Sequence, residues 1–139
     1  MLRPTPPALN LSGIASLVKF AYFTNDAPEP GTLLYTAFRR NMPAGVKEFT
    51  VRTTATFFYG IQQTGGLLNI QVRWINPDGV VVRTSDLLMD QSREGALWTW
   101  RVDRLEKRDL ALPGVWVVEL MISGHRVGRY PLLVRPAGR

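Results

Sequence analysis

Apolar and polar residues alternate along most of this chain, and the alternation is most regular between Pro113 and Val134. Successive side chains of a β-strand point to opposite faces, so every second residue lies on the same face. In the first half of this segment one face would hold Trp116, Val118, Leu120 and Ile122, and in the second half it would hold Tyr130, Leu132 and Val134. The segment therefore predicts a β-hairpin that turns at Ser123 and Gly124.

The register of this hairpin follows from its faces. A plain two-residue turn would place Val118 opposite Arg129, and the apolar face of one strand would then meet the basic face of the other. An offset of one residue places Val118 opposite Tyr130 and Trp116 opposite Leu132, so we predict the offset register, with these residues buried together. The offset has two candidate sources, namely a loop extended through His125 or a bulge at Gly128.

Similar alternation predicts further strands upstream, separated by segments rich in glycine, proline, asparagine and aspartate. These strands are predicted at Ile14–Phe23, Thr32–Phe38, Lys47–Tyr59, Leu67–Trp74, Val80–Thr84 and Ala96–Arg104. The segment Asn76–Gly79 has the chemistry of a tight turn, and Thr84–Gly95 is predicted to be a polar loop or a short helical turn. About seven or eight strands with short turns are typical of an all-β fold, a single antiparallel β-sandwich that is immunoglobulin-like or a jelly-roll or Greek-key barrel.

The pattern also assigns faces to individual strands. Leu67–Trp74 is predicted to point its alternate residues Leu68, Ile70, Val72 and Trp74 into the core. Lys47–Tyr59 is predicted to have one apolar face that includes Phe57 and Tyr59. The other face of this strand is predicted to meet solvent and holds Thr50, Arg52, Thr54 and Thr56.

The N-terminal segment Met1–Ala8 differs from the rest because it contains Pro4, Pro6 and Pro7, and proline disfavours both helices and sheet interiors. We predict an extended arm at residues 1–8 and a sandwich domain at residues 9–136. The chain has 139 residues, of which 45% are hydrophobic and 10% aromatic, enough for one domain with a single core. The arm has little apolar surface of its own, so we expect it to act as a clasp on a neighbouring subunit.

Composition excludes several classes of protein. The chain contains no cysteine, which excludes a disulfide framework, a thiolate metal site and a cysteine nucleophile. The start of the chain lacks the apolar core of a signal peptide, and no apolar run is long enough to span a membrane. We therefore expect a cytoplasmic protein or a component of a virion, without membrane contact. The net charge of +6, carried mostly by arginine, favours an acidic partner, although a GC-rich genome would produce the same bias.

Four segments together resemble a family of short bacterial proteins of uncharacterised function that have an immunoglobulin-like β-sandwich. These segments are Leu9–Ile14, Met42–Val51, Ile75–Gly79 and Leu112–Val134. The closing hairpin LPGVWVVELMISGHRVGRYPLLV carries most of the resemblance, whereas Ser16–Arg40 departs from the pattern of the family. The resemblance implies the fold and no activity, so it transfers no functional residues.

Few residues carry the chemistry of an active site. His125 is the only histidine, and a catalytic triad would need it to meet Ser123 and either Asp103 or Asp109. An exposed histidine in a turn is the favoured interpretation, because nothing in the sequence marks a held base or an oxyanion site. Acidic residues recur at Asp86, Asp90 and Glu94, a spacing that would align them on one helical face as metal ligands, but a solvated polar loop is favoured. We expect no enzymatic activity, no metal and no cofactor.

Aromatic and basic residues offer two candidate binding surfaces. Trp74 and Trp116 are predicted to be core residues, whereas Trp98 and Trp100 are the best candidates for an aromatic surface if their sheet faces outward. Arg101, Arg129 and Arg135 could form a basic stripe along the strands, which would suit phosphate. A mixed, solvated surface is the favoured interpretation of these charges.

The sequence thus favours a non-enzymatic structural or interaction protein, a small sandwich subunit in a multi-copy assembly such as a phage particle or another bacterial complex. Its partners would be proteins, including further copies of itself, and the arm with Pro4, Pro6 and Pro7 would contribute to that binding. The alternative is a ligand-binding module for carbohydrate or nucleic acid that uses Trp98, Trp100 and the basic stripe.

Overall fold

The computed structural model describes residues 11–24, 48–93 and 97–137. Within these ranges the chain forms a short helix α1 (Leu11–Ala15), eight strands and a 3-10 turn at Gln91–Arg93. The strands are β1 (Val18–Thr24), β2 (Glu48–Thr50), β3 (Ala55–Gln62), β4 (Leu67–Ile75), β5 (Val81–Asp90), β6 (Trp98–Leu105), β7 (Gly114–Ile122) and β8 (His125–Arg135). The predicted strand at Thr32–Phe38 and the N-terminal arm lie outside the described residues.

The strands form two sheets. One sheet has three strands in the order β1-β3-β6, and the other has five in the order β2-β8-β7-β4-β5. All neighbours are antiparallel except β2 and β8, which are parallel. In an immunoglobulin sandwich, strands A, B and E lie side by side in one sheet and C, F and G in the other, which is the arrangement of β1, β3 and β6 and of β4, β7 and β8. The fold is therefore an immunoglobulin-like β-sandwich.

The core lies between the two sheets. Ring contacts cross the gap, with 6.2 Å between the ring centroids of Phe23 and Trp74 and 5.2 Å between those of Phe57 and Tyr130. Trp74 and Trp116 are buried, as predicted. The inward residues of β4 are also confirmed: Leu68, Ile70, Val72 and Trp74 are all buried. Trp74 occupies strand C, where immunoglobulin domains place a buried tryptophan, and this chain holds it without a disulfide.

The predicted register of the closing hairpin is confirmed, since Val118 lies opposite Tyr130 and Trp116 opposite Leu132. Ile122 pairs with His125, so the turn has only two residues, and both have positive φ, as a type I′ turn requires. The offset arises instead from a bulge, because Leu120 pairs with Gly128 while Met121 pairs with Arg126. Of the face predicted to be buried, Trp116, Val118, Leu120 and Leu132 are buried, and Tyr130 is half-buried.

The prediction of one long strand at Lys47–Tyr59 is wrong. The chain pairs with β8 up to Thr50 and with β1 and β6 from Ala55 onward, so it passes from one sheet to the other in between. Arg52 takes a positive φ of 64° at this crossing, and its N–H donates to the Leu110 carbonyl over 2.7 Å. An alternating pattern cannot reveal such a crossing, because both halves keep their apolar residues on the core side.

The predicted solvent face of this segment is wrong for β3. Thr56 and Phe58 are 1% and 0% exposed although they point away from the core between the sheets. β3 is the central strand of its sheet, and rings from both neighbouring strands cover its outer face. The ring centroid of Phe58 lies 5.0 Å from that of Phe20 in β1 and 4.5 Å from that of Trp100 in β6.

Two further boundaries differ from the prediction. Ile14 lies in the helix α1, so the first strand begins at Val18. The strand predicted at Val80–Thr84 continues as β5 to Asp90, so most of the predicted polar loop Thr84–Gly95 is extended, and of its described residues Gln91–Arg93 form a helical turn. β5 stays extended because it pairs with β4 from Val81 to Asp90, and its place at the edge of the sheet leaves polar side chains in solvent.

Candidate interaction surface

The predicted tryptophan pair lies on the outer face of the three-stranded sheet. There it joins rings from the other two strands in one aromatic layer, formed by Phe20, Tyr22, Phe58, Trp98 and Trp100. Trp100 is 5% exposed and Trp98 is half-buried, with its ring centroid 5.1 Å from that of Phe20 in a T-shaped contact. Trp100 and Phe58 are therefore occupied in covering their own sheet, whereas Phe20, Tyr22 and Trp98 are half-buried.

The predicted basic residues do not share a face. Arg101 lies in β6 of the three-stranded sheet, whereas Arg129 and Arg135 lie in β8 of the five-stranded sheet. Arg129 Nε is 3.6 Å from Glu119 Oε2, and Arg135 Nη2 is 3.2 Å from Glu48 Oε1. Exposed pairs of this kind contribute only about 0–1 kcal/mol to stability, but they reduce the charge offered to a phosphate backbone.

The residues considered for catalysis or metal binding are also separated. His125 is exposed at the tip of the hairpin, while Asp103 lies in the other sheet and accepts a hydrogen bond of 2.5 Å from Trp74 Nε1. Asp86 and Asp90 lie in a strand, where positions four apart are about 13 Å from each other; Glu94 lies outside the described residues. Among the residues that the structure describes, no group of three or more His, Cys, Asp or Glu could hold a metal ion. None of the described helices is long and apolar enough to cross a membrane.

A polar cleft of about 250 Å³ opens between β5 and β6, and no pattern in the sequence indicates it. Its walls include Tyr59, Arg83, Arg101 and Asp103. Asp103 links the sheets, because it binds Trp74 and lies 4.0 Å from Arg83 Nε, both in the five-stranded sheet. Burial raises the pKa of the Tyr59 phenol, and the negative charge of Asp103 raises it further against the opposing charge of Arg101, so the phenol stays protonated. Through Asp103, β6 of the three-stranded sheet is thus joined to β4 and β5 of the five-stranded sheet beside this cleft.

The clearest candidate for an interaction surface is the outer edge of β5. This strand is ten residues long and ends the five-stranded sheet, and within the described ranges β4 is its only neighbour. The strand at the other end of that sheet, β2, has three residues. Large apolar side chains are exposed along and beside β5: Val80 is 55% exposed, Val81 46%, Val82 39% and Leu88 64%.

The direction of the backbone groups of β5 follows from one hydrogen bond. The N–H of Gln91 donates to the carbonyl of Gly66 over 3.0 Å, which makes these residues a hydrogen-bonded pair. Hydrogen-bonded pairs alternate along an antiparallel ladder, so Ser85 and Leu87 also direct their backbone groups toward β4. Thr84, Asp86 and Leu88 consequently direct their N–H and C=O groups to the open edge.

The two charged side chains near the middle of β5 are held by their own neighbours. Arg83 Nε donates to Ser85 Oγ over 3.1 Å and faces Asp103. Gln71 Nε2 donates to Asp86 Oδ1 over 2.9 Å. β5 contains neither lysine nor proline, the residues that most often protect an edge strand. A bulge at Val82, where the register shifts between Trp74 and Ile75, ends the regular part of the edge on one side.

Comparison with known proteins finds similarity in structure only. No family model matches the sequence, and no curated protein matches it. An immunoglobulin-like protein from Pseudomonas aeruginosa is 13% identical, with a TM-score of 0.44 over 66% of this chain and 80% of that one. A β-glucosidase from Listeria innocua in complex with glucose is 14% identical, with a TM-score of 0.48 over 64% of this chain and 15% of that one. An alkylpurine DNA glycosylase from Pseudomonas fluorescens, bound to DNA, is 12% identical, with a TM-score of 0.44 over 64% of this chain and 28% of that one.

Proposed function

We propose that this protein is a non-enzymatic interaction protein, a small β-sandwich subunit that binds further copies of itself in a multi-copy assembly. A phage particle or another bacterial complex is the kind of assembly that such a subunit would serve. The observation that carries the proposal is the outer edge of β5, which no strand of the described ranges pairs with and along which Val81, Val82 and Leu88 are exposed.

The physical argument concerns how sheets normally end. Unpaired backbone groups on an edge strand are a template for another strand, so most proteins shorten the edge, charge it or place proline in it. β2 follows that rule, because it has three residues and one of them is the exposed Glu48. β5 is long, its charged side chains are engaged elsewhere, and its apolar residues Val81, Val82 and Leu88 are exposed. An edge of this kind favours pairing with a protein strand.

The alternative function, binding of carbohydrate or nucleic acid, has less support. A sugar-binding platform needs an open aromatic face, and Trp100 is buried against Phe58. A phosphate-binding stripe needs arginines on one face, and Arg101 lies in a different sheet from Arg129. The N-terminal arm stays a predicted second contact between subunits.

The test is the mass of the full chain in solution at a low and a high concentration. One chain has a mass of 15.6 kDa, and we expect the average mass to rise above this value as the concentration increases. The rise should persist in high salt, because backbone and apolar contacts are screened far less than exposed charges. A chain that stays at 15.6 kDa at the highest soluble concentration would contradict self-association.

A further inference from the structure

We infer that two copies of the chain join their five-stranded sheets by antiparallel pairing of β5 with β5 across a two-fold axis; this inference rests on the proposed self-association. The axis is perpendicular to the sheet and passes beside Ser85. The pairing would make one continuous ten-stranded sheet, since each copy contributes five strands.

The open edge limits which residues can meet. Backbone groups that point away from β4 belong to Thr84, Asp86 and Leu88, so hydrogen-bonded pairs between the copies must be drawn from these positions. A two-fold axis perpendicular to the sheet keeps each side chain on its own face, so every residue pairs with one an even number of positions away. Only a few registers satisfy both conditions over the regular part of the strand.

The pairs of side chains that each register brings together favour one of them. Centring the axis on Asp86 would set two carboxylates directly opposite each other, which is destabilising. Centring it on Thr84 would place Asp86 opposite Val82, and centring it on Leu87 would place Asp86 opposite Leu88, each a charge against an apolar residue. Centring it on Ser85 places Thr84 opposite Asp86, which can accept a hydrogen bond from the threonine hydroxyl.

The same register also brings the exposed apolar residues together. Val82, where the strand bulges, and Leu88 are 39% and 64% exposed, and they come next to each other at both ends of the regular pairing. On the inner face, Arg83 lies opposite Leu87, so no like charges meet. β5 is thus complementary to itself in one register, and a second copy of this chain is the partner that the edge fits.

The contact is small. The two Thr84–Asp86 pairs supply about four backbone hydrogen bonds, and the buried area falls below the ~1,000 Å² of a typical stable interface. Association is therefore reversible and depends on concentration, which suits a subunit that gains strength from many contacts in an assembly.

The first experiment removes the backbone N–H of Thr84, which points to the open edge of β5. Thr84→Pro deletes an N–H that points away from β4, so the fold of each copy is retained, and proline is tolerated on that side of an edge strand. In a two-fold dimer the Thr84 N–H of each copy donates to the other copy, so the substitution removes two hydrogen bonds. We therefore expect the dissociation constant from sedimentation equilibrium to rise about tenfold or more. Thr84→Val keeps the donor and is the matched control, with a smaller effect.

The second experiment tests the register by cross-linking. Because the natural chain has no cysteine, an introduced cysteine can form a disulfide only with the same cysteine of another copy. In the inferred register Ser85 lies opposite its own copy with Cα atoms about 4.5 Å apart, within reach of a disulfide. Ser85→Cys should form a covalent dimer on mild oxidation. Thr84→Cys and Asp86→Cys should not, because their copies are about 8 Å apart, beyond disulfide reach.

Each outcome decides something different. If wild type self-associates and Thr84→Pro associates equally well, the β5 edge is not the interface. If Thr84→Val is as weak as Thr84→Pro, the loss comes from the side chain and the inferred backbone pairing is wrong. In both cases the proposed self-association stands. If Thr84→Cys or Asp86→Cys cross-links in place of Ser85→Cys, the register is wrong. If wild type is monomeric at every concentration, the proposed function fails together with the inference.

Discussion

Replacing Trp116 with alanine is the sharpest test of the core of this sandwich. Trp116 is 1% exposed in the centre of the five-stranded sheet, opposite the buried Leu132. Its indole Nε1 donates to the carbonyl of Leu112 over 2.8 Å. The substitution removes a large ring from a core that has no disulfide to hold the sheets together.

The magnitude follows from these contacts. Truncation of a buried tryptophan to alanine costs about 3–5 kcal/mol through lost burial and the cavity that remains. Loss of the indole hydrogen bond adds little, because Leu112 is 42% exposed and water can reach its carbonyl. A domain of this size has a total stability of about 5–15 kcal/mol, so the variant should still fold while losing a large part of that stability.

The assay is urea denaturation followed by circular dichroism and by the fluorescence of the remaining tryptophans. Val115→Ala is the matched control, since Val115 precedes Trp116 in β7 but is 56% exposed, and its change should stay within about 0.5 kcal/mol. A loss of less than about 1 kcal/mol in the free energy of unfolding for Trp116→Ala would refute the reasoning, because removal of a buried ring of this size costs several times more.

Three further predictions concern the edge strand, the bulge and a buried tyrosine. Ser85→Pro should lower stability by about 3 kcal/mol or more, because it removes a hydrogen bond to β4, whereas Thr84→Pro should change stability far less; equal losses in thermal melts would reverse the assigned backbone directions. Gly128→Ala should destabilise by about 1–3 kcal/mol, because a Cβ there would lie 2.5 Å from Cζ of Tyr130, and an unchanged denaturation midpoint would contradict that close approach. Stability should fall as pH rises above about 10, because the unfolded chain releases the Tyr59 proton there while the folded chain, with its raised pKa, retains it. Tyr59→Phe should reduce this slope in denaturation curves measured across the alkaline range, although burial also raises the pKa of Tyr130.

Local chemistry allowed several features to be predicted from the sequence. The faces of Leu67–Trp74 and the offset of the closing hairpin followed from apolar alternation, because a shift of one residue would turn every side chain to the wrong face. The turn at Asn76–Gly79 also forms as its residues indicate. Asn76 Oδ1 accepts hydrogen bonds from the N–H of Asp78 and Val80 over 2.9 and 3.0 Å, and Gly79 takes a φ of 82°.

The length of β5 and its role as an edge could not be predicted in the same way. Thr84, Ser85 and Asp86 are typical loop residues, and they lie in a strand only because β4 offers a ladder beside them. The candidate interaction surface was missed for the same reason. An exposed edge strand has the composition of a loop, and its position depends on which strands pair beyond it.

The positions of the basic and aromatic candidates depended on the arrangement of strands in the two sheets. Arg101 and Arg129 occupy similar places in alternating patterns, yet the chain order does not say which sheet each strand joins. Phe58 is buried on the outer face of its sheet because β1 and β6 bring rings to it from distant parts of the sequence.

The sequence by itself thus determined the approximate places of several strands, the inward faces of Leu67–Trp74 and of the closing hairpin, and the tight turns, because each depends on neighbours within a few residues. Only the tertiary structure decided three things: where the chain crosses between sheets at Arg52, that Asp103 joins the sheets through Trp74, and that β5 ends its sheet. Each of these brings together groups far apart in the chain. The pattern of apolar and polar residues along one strand does not show which other strand will pair with it or pack against it.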